Sequence, residues 1–230
     1  MSTIKVKDIN MYYEIHGVGE PLVLIAGLGT DLTLFRLSIN QLSQKFKVLV
    51  FDNRGAGRTD KPDIPYTIEM MADDTATLMS KVGIESAYVL GISLGGRIAM
   101  ELTLQFPEKV KGLILASTSA TVKTRLLFIP RFIKRVRAIM NKSEQPYYAF
   151  LRQLNASRGY DCSSRFCNIN MPTLILHGKK DKNASYHLAE EMNIGIKGSK
   201  LIAFKGGHIF FIWENKRFVN SILEFLGGIG

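Results

Sequence analysis

Five consecutive residues near the middle of the chain carry the clearest chemical signal. Gly91-Ile92-Ser93-Leu94-Gly95 has the pattern G-x-S-x-G, with an apolar strand pattern before it and a helical pattern after it. Such a strand–turn–helix unit strains the serine backbone and exposes its hydroxyl at a helix N-terminus, where developing negative charge is stabilised. We therefore predict Ser93 as a nucleophile for acyl transfer, with an ordinary glycine-rich turn as the alternative.

A serine hydroxyl is a weak nucleophile at neutral pH, so it needs a histidine that takes its proton. Three of the four histidines lie before the last predicted strand. His16 ends the first hairpin, His177 ends a strand and His187 falls in a helical pattern. Only His208 follows the last predicted strand, on a segment that begins with two glycines. We predict His208 as the general base, with a solvent-facing surface histidine as the alternative.

The histidine in turn needs a carboxylate that holds it in the right tautomer. Asp181 follows the strand predicted at 173–176, which is where the acid is expected when the order is serine, acid, histidine. The competing carboxylates lie on other elements: Glu190 and Glu191 in the next helix, Asp161 in a long insertion and Asp52 after an earlier strand. Asp181 is the predicted acid, and a turn or helix-capping aspartate is the alternative.

Acyl transfer also needs donors for a tetrahedral oxyanion. We predict the backbone N–H groups of Leu94, directly after the nucleophile, and of Leu28, in the glycine-containing loop after the first buried strand. The same reasoning places Gly27, Phe210 and Trp213 around the substrate pocket. No metal ligands are predicted, because Cys162 and Cys167 lack the neighbouring ligands of a zinc site.

Elements that could position these residues alternate along the chain. An edge hairpin is predicted at 4–6 and 11–15, followed by short apolar strands at 22–25, 48–51, 87–90, 112–115, 173–176 and 200–204. Helical patterns fall at 68–82, 95–106, 186–194 and 215–226. This alternation predicts an α/β fold with a mostly parallel central sheet and helices on both faces.

The alternation fails once, between residues 119 and 169, where two strands are joined by a long basic segment. Ten Lys or Arg residues stand there against Glu144 and Asp161, while the whole chain has a net charge of +10. Apolar residues from Leu126 to Met140 recur at helical spacing, which predicts an amphipathic helix. We predict a core at 1–118 and 171–230 and a short basic helical cap at 119–170.

Length and composition favour one soluble globular domain. The 230 residues contain no apolar run long enough to span a membrane, and the N-terminus lacks the apolar region of a signal peptide. We therefore expect a cytoplasmic protein with reduced cysteines and no cofactor.

Several motifs together resemble a known family: 27–31, 51–60, 65–68, 91–96 and Gly207-His208. On these motifs the chain resembles the α/β-hydrolase superfamily, and it is most similar to the arylesterase and 3-oxoadipate enol-lactonase branch. The resemblance covers 11–118 and 171–226 and implies that Ser93, Asp181 and His208 form a catalytic triad. Ala26 departs from the family's usual histidine, and the cap is shorter and more basic than usual. Within the second motif, we interpret Asp52 and Arg54 as a buried charge pair that fixes a loop.

The predicted function is hydrolysis of short-chain or aryl carboxylic esters through an acyl-enzyme intermediate. The alternatives left open are an enol-lactone type of lactonase, a cofactor-free perhydrolase or haloperoxidase-like activity, and a ligand-binding receptor-like module. We expect a small-molecule ester as the partner and no nucleic acid. Two further alternatives stay open: contact of the basic cap with a membrane surface, and a homodimer formed through the apolar face of the cap.

Overall fold

A computed structural model of the chain describes residues 2–122 and 145–229. Its centre is an eight-stranded sheet with the order β1-β2-β4-β3-β5-β6-β7-β8. The strands are β1 (Ser2–Val6), β2 (Ile9–His16), β3 (Glu20–Ile25), β4 (Phe46–Phe51), β5 (Ala87–Ile92), β6 (Val110–Ala116), β7 (Thr173–Gly178) and β8 (Lys200–Phe204). All eight strands lie where the sequence predicts them, within two residues at their ends.

The direction of the strands also agrees with the prediction. Strands β1 and β2 form an antiparallel hairpin at the sheet edge, and β2 pairs antiparallel with β4. From β4 to β8 every pairing is parallel. The predicted mostly parallel α/β sheet is therefore confirmed, and the carboxyl ends of β3 to β8 open at the same edge.

The α-helices of the described residues connect and cover the strands. They are α1 (Arg36–Leu42), α2 (Ile68–Lys81), α3 (Leu94–Gln105), α4 (Tyr147–Gly159), α5 (Tyr186–Gly195), α6 (Phe210–Trp213) and α7 (Asn215–Gly227). Short 3₁₀ turns occupy Leu32–Phe35, Pro107–Lys109 and Ser163–Asn168. Four of these helices are predicted from the sequence, whereas the short α1 and α6 carry too little periodicity to be found.

Alternate residues of one buried strand feed two separate cores. Leu22 and Leu24 of β3 pack with α1, α6 and α7 on one face of the sheet. Val23 and Ile25 pack with α2, α3 and α5 on the other face. All four side chains are fully buried, as expected for a strand that is covered on both sides.

The long basic segment is described only in part. Helix α4 and the 3₁₀ turn after it belong to it, whereas the amphipathic helix predicted from Leu126 to Met140 lies outside the described residues. The division into a core and a cap at 119–170 stays a prediction. In the parts that the structure describes, no helix is long and apolar enough to cross a membrane.

Arg54 and Asp52 stabilise loops near the hairpin edge, but not by pairing with each other. Arg54 forms two hydrogen bonds with the carboxylate of Asp74 on α2, at 2.7 and 2.8 Å, and two more with Asp8. Asp52 instead accepts from the backbone N–H of Leu32 and of Arg58. The predicted Asp52–Arg54 pair is therefore wrong, because Arg54 pairs with Asp74 and Asp8, whereas Asp52 pairs with Arg58 at 3.2 Å.

The Arg54–Asp74 pair should be a major contributor to stability, because both side chains are almost fully buried. We expect Asp74→Asn to lower the free energy of unfolding by about 3 kcal/mol, since it removes the buried carboxylate and leaves the guanidinium only the more exposed Asp8. Glu20→Gln, which removes an exposed pair with Lys111, is the matched control and should cost less than about 1 kcal/mol. Urea denaturation measures both, and equally small losses would contradict the expectation.

The outer carboxylate of this network should make stability depend on acid pH. Hydrogen bonds from Arg54 lower the pKa of Asp8 to about 2, although partial burial opposes the shift. An Asp pKa that is lower in the folded state stabilises the protein above about pH 4, and this contribution is lost as the pH falls toward 2. The difference in unfolding free energy between wild type and Asp8→Asn should therefore shrink over that window. A difference that is constant from pH 6 to pH 2 would contradict it.

Candidate active site

Ser93 stands on the turn between β5 and α3 in an unusual backbone conformation. Its φ of 56° and ψ of −114° lie outside the regions that L-residues normally occupy. Its N–H donates to the carbonyl of Ala116 at 2.9 Å, and its carbonyl accepts from the hydroxyl of Thr118 at 2.7 Å. Residues at and just after the end of β6 therefore hold both the N–H and the carbonyl of this strained residue.

The glycines that flank Ser93 are required by close backbone contacts. A Cβ atom on Gly91 would lie 2.2 Å from the carbonyl oxygen of Gly95. A Cβ atom on Gly95 would lie 2.1 Å from the carbonyl oxygen of Ile25, at the end of β3. Neither contact can be relieved by a side-chain rotation, so the G-x-S-x-G pattern is a packing requirement of this turn.

The structure brings Ser93, His208 and Asp181 together. The Ser93 Oγ atom lies 3.0 Å from His208 Nε2, and His208 Nδ1 lies 2.7 Å from Asp181 Oδ2. With a proton on Nδ1, the histidine donates to the carboxylate and accepts from the serine hydroxyl, which is the tautomer that general-base action needs. His208 and Asp181 are 9% and 7% exposed, so bulk water is largely kept from both groups.

The carboxylate of Asp181 is held in place by its own loop. Its Oδ1 atom accepts from the backbone N–H groups of Asn183 and Ala184, at 2.8 and 3.0 Å, which leaves Oδ2 directed at His208. Burial raises the pKa of this carboxyl group, but the charge of His208 and hydrogen bonds from both histidines and Ala184 outweigh it and hold the pKa well below its usual range. Asp181 is therefore ionised at neutral pH and can stabilise an imidazolium.

His177 is a second histidine against the same carboxylate, and the sequence reasoning missed this contact. Its fully buried ring places Nε2 2.8 Å from the carbonyl oxygen of Ala184 and 3.4 Å from Asp181 Oδ2. The spacing of four residues to Asp181 was the available signal, since both residues flank one turn at the end of β7. His177 thus supports the acid and does not replace His208.

The loop after β3 lies against the nucleophile, as an oxyanion site requires. A Cβ atom on Gly27 would lie 3.4 Å from Ser93 Cβ, so this backbone passes in van der Waals contact with the serine. Leu28 and Leu94 line one cavity together with Ser93 and His208. No hydrogen bond among the described residues uses the N–H of Leu28 or Leu94, so both predicted donors are available there.

Two of the predicted pocket residues lie elsewhere. Phe210 is fully buried in the second core, where its ring stacks on Phe204 with 4.2 Å between centroids. Trp213 is 72% exposed, and neither residue lines the cavity that contains Ser93. The prediction for these two side chains is therefore wrong, because the short helix α6 directs its aromatic residues beneath the sheet edge and toward solvent.

Other residues line the cavity or hold its loops, and the sequence analysis did not identify them. Arg97 lines it one helical turn after Ser93, and this spacing was the signal that could have revealed it. Ser117 donates its hydroxyl to the carbonyl of His208 at 2.8 Å and so holds the histidine loop. Gln153 on α4 accepts from the N–H of Gly29 at 3.4 Å, which ties the long segment to the loop of Leu28. No motif marks Ser117 or Gln153 in the sequence.

Metal-assisted chemistry has no visible ligand set in the part of the chain that the structure describes. Within residues 2–122 and 145–229, no group of three or more His, Cys, Asp or Glu side chains is arranged so that it could hold a metal ion. The groups around Ser93 instead form a hydrogen-bonded series of hydroxyl, imidazole and carboxylate.

Comparisons with known proteins point to one family. Residues 20–153 match the sequence profile of a family described as alpha/beta hydrolase fold. The chain is 30% identical to the Azorhizobium caulinodans protein named "Putative carbamate hydrolase RutD", over 96% of this chain and 97% of that protein.

Solved structures show the same fold. The enol-lactonase from Burkholderia xenovorans superposes with a TM-score of 0.90 at 23% identity, over 98% of this chain and 100% of that one. An esterase from Exiguobacterium antarcticum gives a TM-score of 0.88 at 24% identity, over 98% and 99% of the two chains. At these identities the comparison shows a shared fold.

The packing of Gly95 against β3 can be tested by adding one methyl group. We expect Gly95→Ala to lower the free energy of unfolding by about 3 kcal/mol or more, because the clash is with backbone. Displacement of Ser93 should also slow its labelling by a fluorophosphonate by about 100-fold. Gly159→Ala is the matched control, since a Cβ atom there meets nothing within 4 Å. Labelling of Gly95→Ala at the wild-type rate would show that the turn tolerates the methyl group.

Proposed function

This chain belongs to the α/β-hydrolase family, and from that premise we propose that it is a serine hydrolase that cleaves carboxylic esters of short-chain or aryl type. The observation that carries the proposal is the continuous hydrogen-bonded series from Ser93 through His208 to Asp181. In this proposal Ser93 is the nucleophile, His208 the general base and Asp181 the acid that orients the histidine.

Acylation would begin when Ser93 Oγ attacks the ester carbonyl carbon while His208 Nε2 takes the hydroxyl proton. The imidazolium that forms is stabilised by the Asp181 carboxylate at 2.7 Å. The N–H groups of Leu28 and Leu94 would donate to the oxyanion of the tetrahedral intermediate. Collapse of this intermediate breaks the ester C–O bond, and His208 returns its proton to the departing alcohol or phenol.

Deacylation would repeat the same steps with water as the nucleophile. His208 takes a proton from a water molecule, whose oxygen attacks the acyl carbon on Ser93. The second tetrahedral intermediate expels Ser93 Oγ, which regains its proton from His208, and the carboxylic acid leaves. The original Ser93 proton thus leaves with the alcohol, a proton from water replaces it on Ser93, and His208 is neutral again for another cycle. These steps use only water, the three side chains and the two backbone N–H groups.

The choice of an ester rests on the chemistry of the site and on the names of similar proteins. The alkoxide or phenoxide of an ester is a better leaving group than the nitrogen of an amide, and His208 can supply the proton that it takes up. The solved neighbours named above include an esterase and an enol-lactonase, whose names support ester and cyclic-ester substrates. The Azorhizobium relative carries the name of a carbamate hydrolase, which makes a carbamate the second candidate. The haloperoxidase-like and receptor-like alternatives have less support, because the complete triad serves hydrolysis directly.

We extend the proposal to the organisation of the chain. Residues 119–170 would form a cap over the site, and the contacts of α4 with the Gly29 loop support it. A small-molecule ester would be the partner, with no nucleic acid, and the protein would act in the cytoplasm. A homodimer and contact of the basic segment with membranes stay predictions.

The proposal is tested by hydrolysis of p-nitrophenyl esters from acetate to laurate, together with a p-nitrophenyl carbamate and a five-membered lactone. Ser93→Ala should lower kcat by about 10⁶-fold, because it removes the attacking hydroxyl that lies 3.0 Å from His208 Nε2. A fluorophosphonate should label Ser93 in the wild type, as located by mass spectrometry. The exposed Ser163→Ala is the matched control and should keep full activity and labelling.

The outcomes separate the candidates. Turnover that is greatest for acetate and butyrate esters supports the proposed substrate class, whereas turnover of the carbamate at a higher kcat/KM favours the second candidate. Preference for laurate would contradict the short-chain assignment. The absence of both turnover and label at Ser93 would overturn the serine-hydrolase proposal.

A further inference from the structure

Arg97 is a buried cation in the wall of the candidate active site. It lies on α3, four residues after Ser93, so it emerges on the same side of the helix about 6 Å further along the axis. The residue is only 8% exposed, and it lines the same cavity as Ser93, Leu28 and His208. Arg97 and Ser93 therefore belong to the wall of one cavity.

The guanidinium of Arg97 is surrounded by neutral acceptors. Its Nε–H donates to the carbonyl of Ser119 at 3.0 Å, and one Nη–H donates to the Ser119 hydroxyl at 2.9 Å. The other Nη donates to the hydroxyl of Ser157 on α4. A guanidinium has five N–H donors, so these three bonds leave about two of them for another acceptor.

No carboxylate in the described part of the chain pairs with Arg97. The acid one helical turn beyond it, Glu101, is already bonded to Arg165 at 2.7 Å, to Tyr160 at 2.9 Å and to Gln105. The acid of the triad, Asp181, is bonded to His208. Burial lowers the pKa of Arg97 to about 10, which still leaves it charged at neutral pH.

A buried cation that lacks an anion is costly for a folded protein, because hydroxyl dipoles replace only part of its hydration. Holding Ser119 and Ser157 together does not need a charge, since a neutral amide could donate to the same oxygens. The cost is offset when a ligand supplies the counter-charge. Arginine suits one class of ligand in particular, because its planar fork matches the two oxygens of a carboxylate.

We propose that Arg97 binds a carboxylate of the substrate, so that the substrates are esters or lactones that carry a second, free carboxylate a few bonds from the scissile carbonyl. This inference rests on the proposed hydrolase function of Ser93 and adds the chemical class of its substrate. Arg97 is in this view the residue that determines specificity for an anion, and it takes no part in bond cleavage.

The experiment compares pairs of substrates that differ in one charge. Monoethyl succinate, glutarate and adipate are each compared with the ethyl ester whose free carboxyl is replaced by a primary carboxamide, and 4-acetoxybenzoate is compared with 4-acetoxybenzamide. These pairs place the charge on either side of the ester at several distances. The quantity measured is the ratio of kcat/KM for the anionic member to that for the neutral member.

For the wild type we expect a ratio of about 10 to 100 for at least one pair, which is the effect of one charged hydrogen-bonded contact. Arg97→Met should bring that ratio to about 1, and Arg97→Lys should give an intermediate value because it keeps the charge but loses the fork. Arg165→Met is the matched control, since Arg165 pairs with Glu101, which lies on the same helix as Arg97. It should leave the ratio unchanged.

Binding of glutarate to Ser93→Ala, measured by calorimetry, provides a readout that does not depend on turnover. Affinity should fall at least tenfold when Arg97→Met is added and should persist when Arg165→Met is added. A ratio near 1 for every pair in the wild type would overturn the proposal while leaving the hydrolase function intact. Arg97→Met that lowers both members of each pair equally would also overturn it and assign Arg97 to holding α4. Failure of every ester, with glutarate still bound through Arg97, would overturn the hydrolase function alone.

Discussion

The backbone of Ser93 is the constraint on which the rest of the site depends. A φ of 56° is unfavourable for a residue with a side chain, so the surrounding structure must hold it there. Hydrogen bonds from the end of β6 fix the peptide units on both sides, and Gly91 and Gly95 let two neighbouring backbones approach to distances that exclude a Cβ atom. This one conformation sets the direction of the hydroxyl, of the Leu94 N–H and of helix α3.

The parallel sheet brings together the loops that carry the other site residues. Because β3, β5, β7 and β8 end at the same edge, the loops that follow them meet although they lie far apart in sequence. Ser93 and His208 are 115 residues apart, yet their side chains are 3.0 Å apart. Each loop is then held by its own hydrogen bonds: those of Asp181 to Asn183 and Ala184, and that of Ser117 to the His208 carbonyl. In the proposed reaction the side chains would therefore need little reorganisation, which is the condition for effective electrostatic catalysis.

The part of the long segment that the structure describes is joined to this edge by polar contacts. Gln153 is fully buried and bonds both the Gly29 loop and the carbonyl of Arg54, so α4 connects the loops after β3 and β4. Arg97 connects α4 to the end of β6 through Ser157 and Ser119. Buried polar groups of this kind fix one arrangement, since a shift of the helix would leave several of them unsatisfied. They also bring a positive charge close to the nucleophile.

The amino-acid sequence by itself determined the fold and the residues that meet at the sheet edge. Apolar runs predict the strands, and helical spacing predicts α2, α3, α5 and α7. Ser93, Asp181 and His208 were found because each follows a predicted strand, in the order serine, acid, histidine. These are local patterns, readable because backbone periodicity and turn chemistry depend on near neighbours.

Only the tertiary structure decided where Phe210 and Trp213 point, that Arg54 pairs with Asp74 instead of Asp52, and that His177 lies against Asp181. It also decided that Arg97 is buried in the cavity without a carboxylate among the described residues. Such facts depend on how distant loops and helices pack, which no spacing along a single segment can specify.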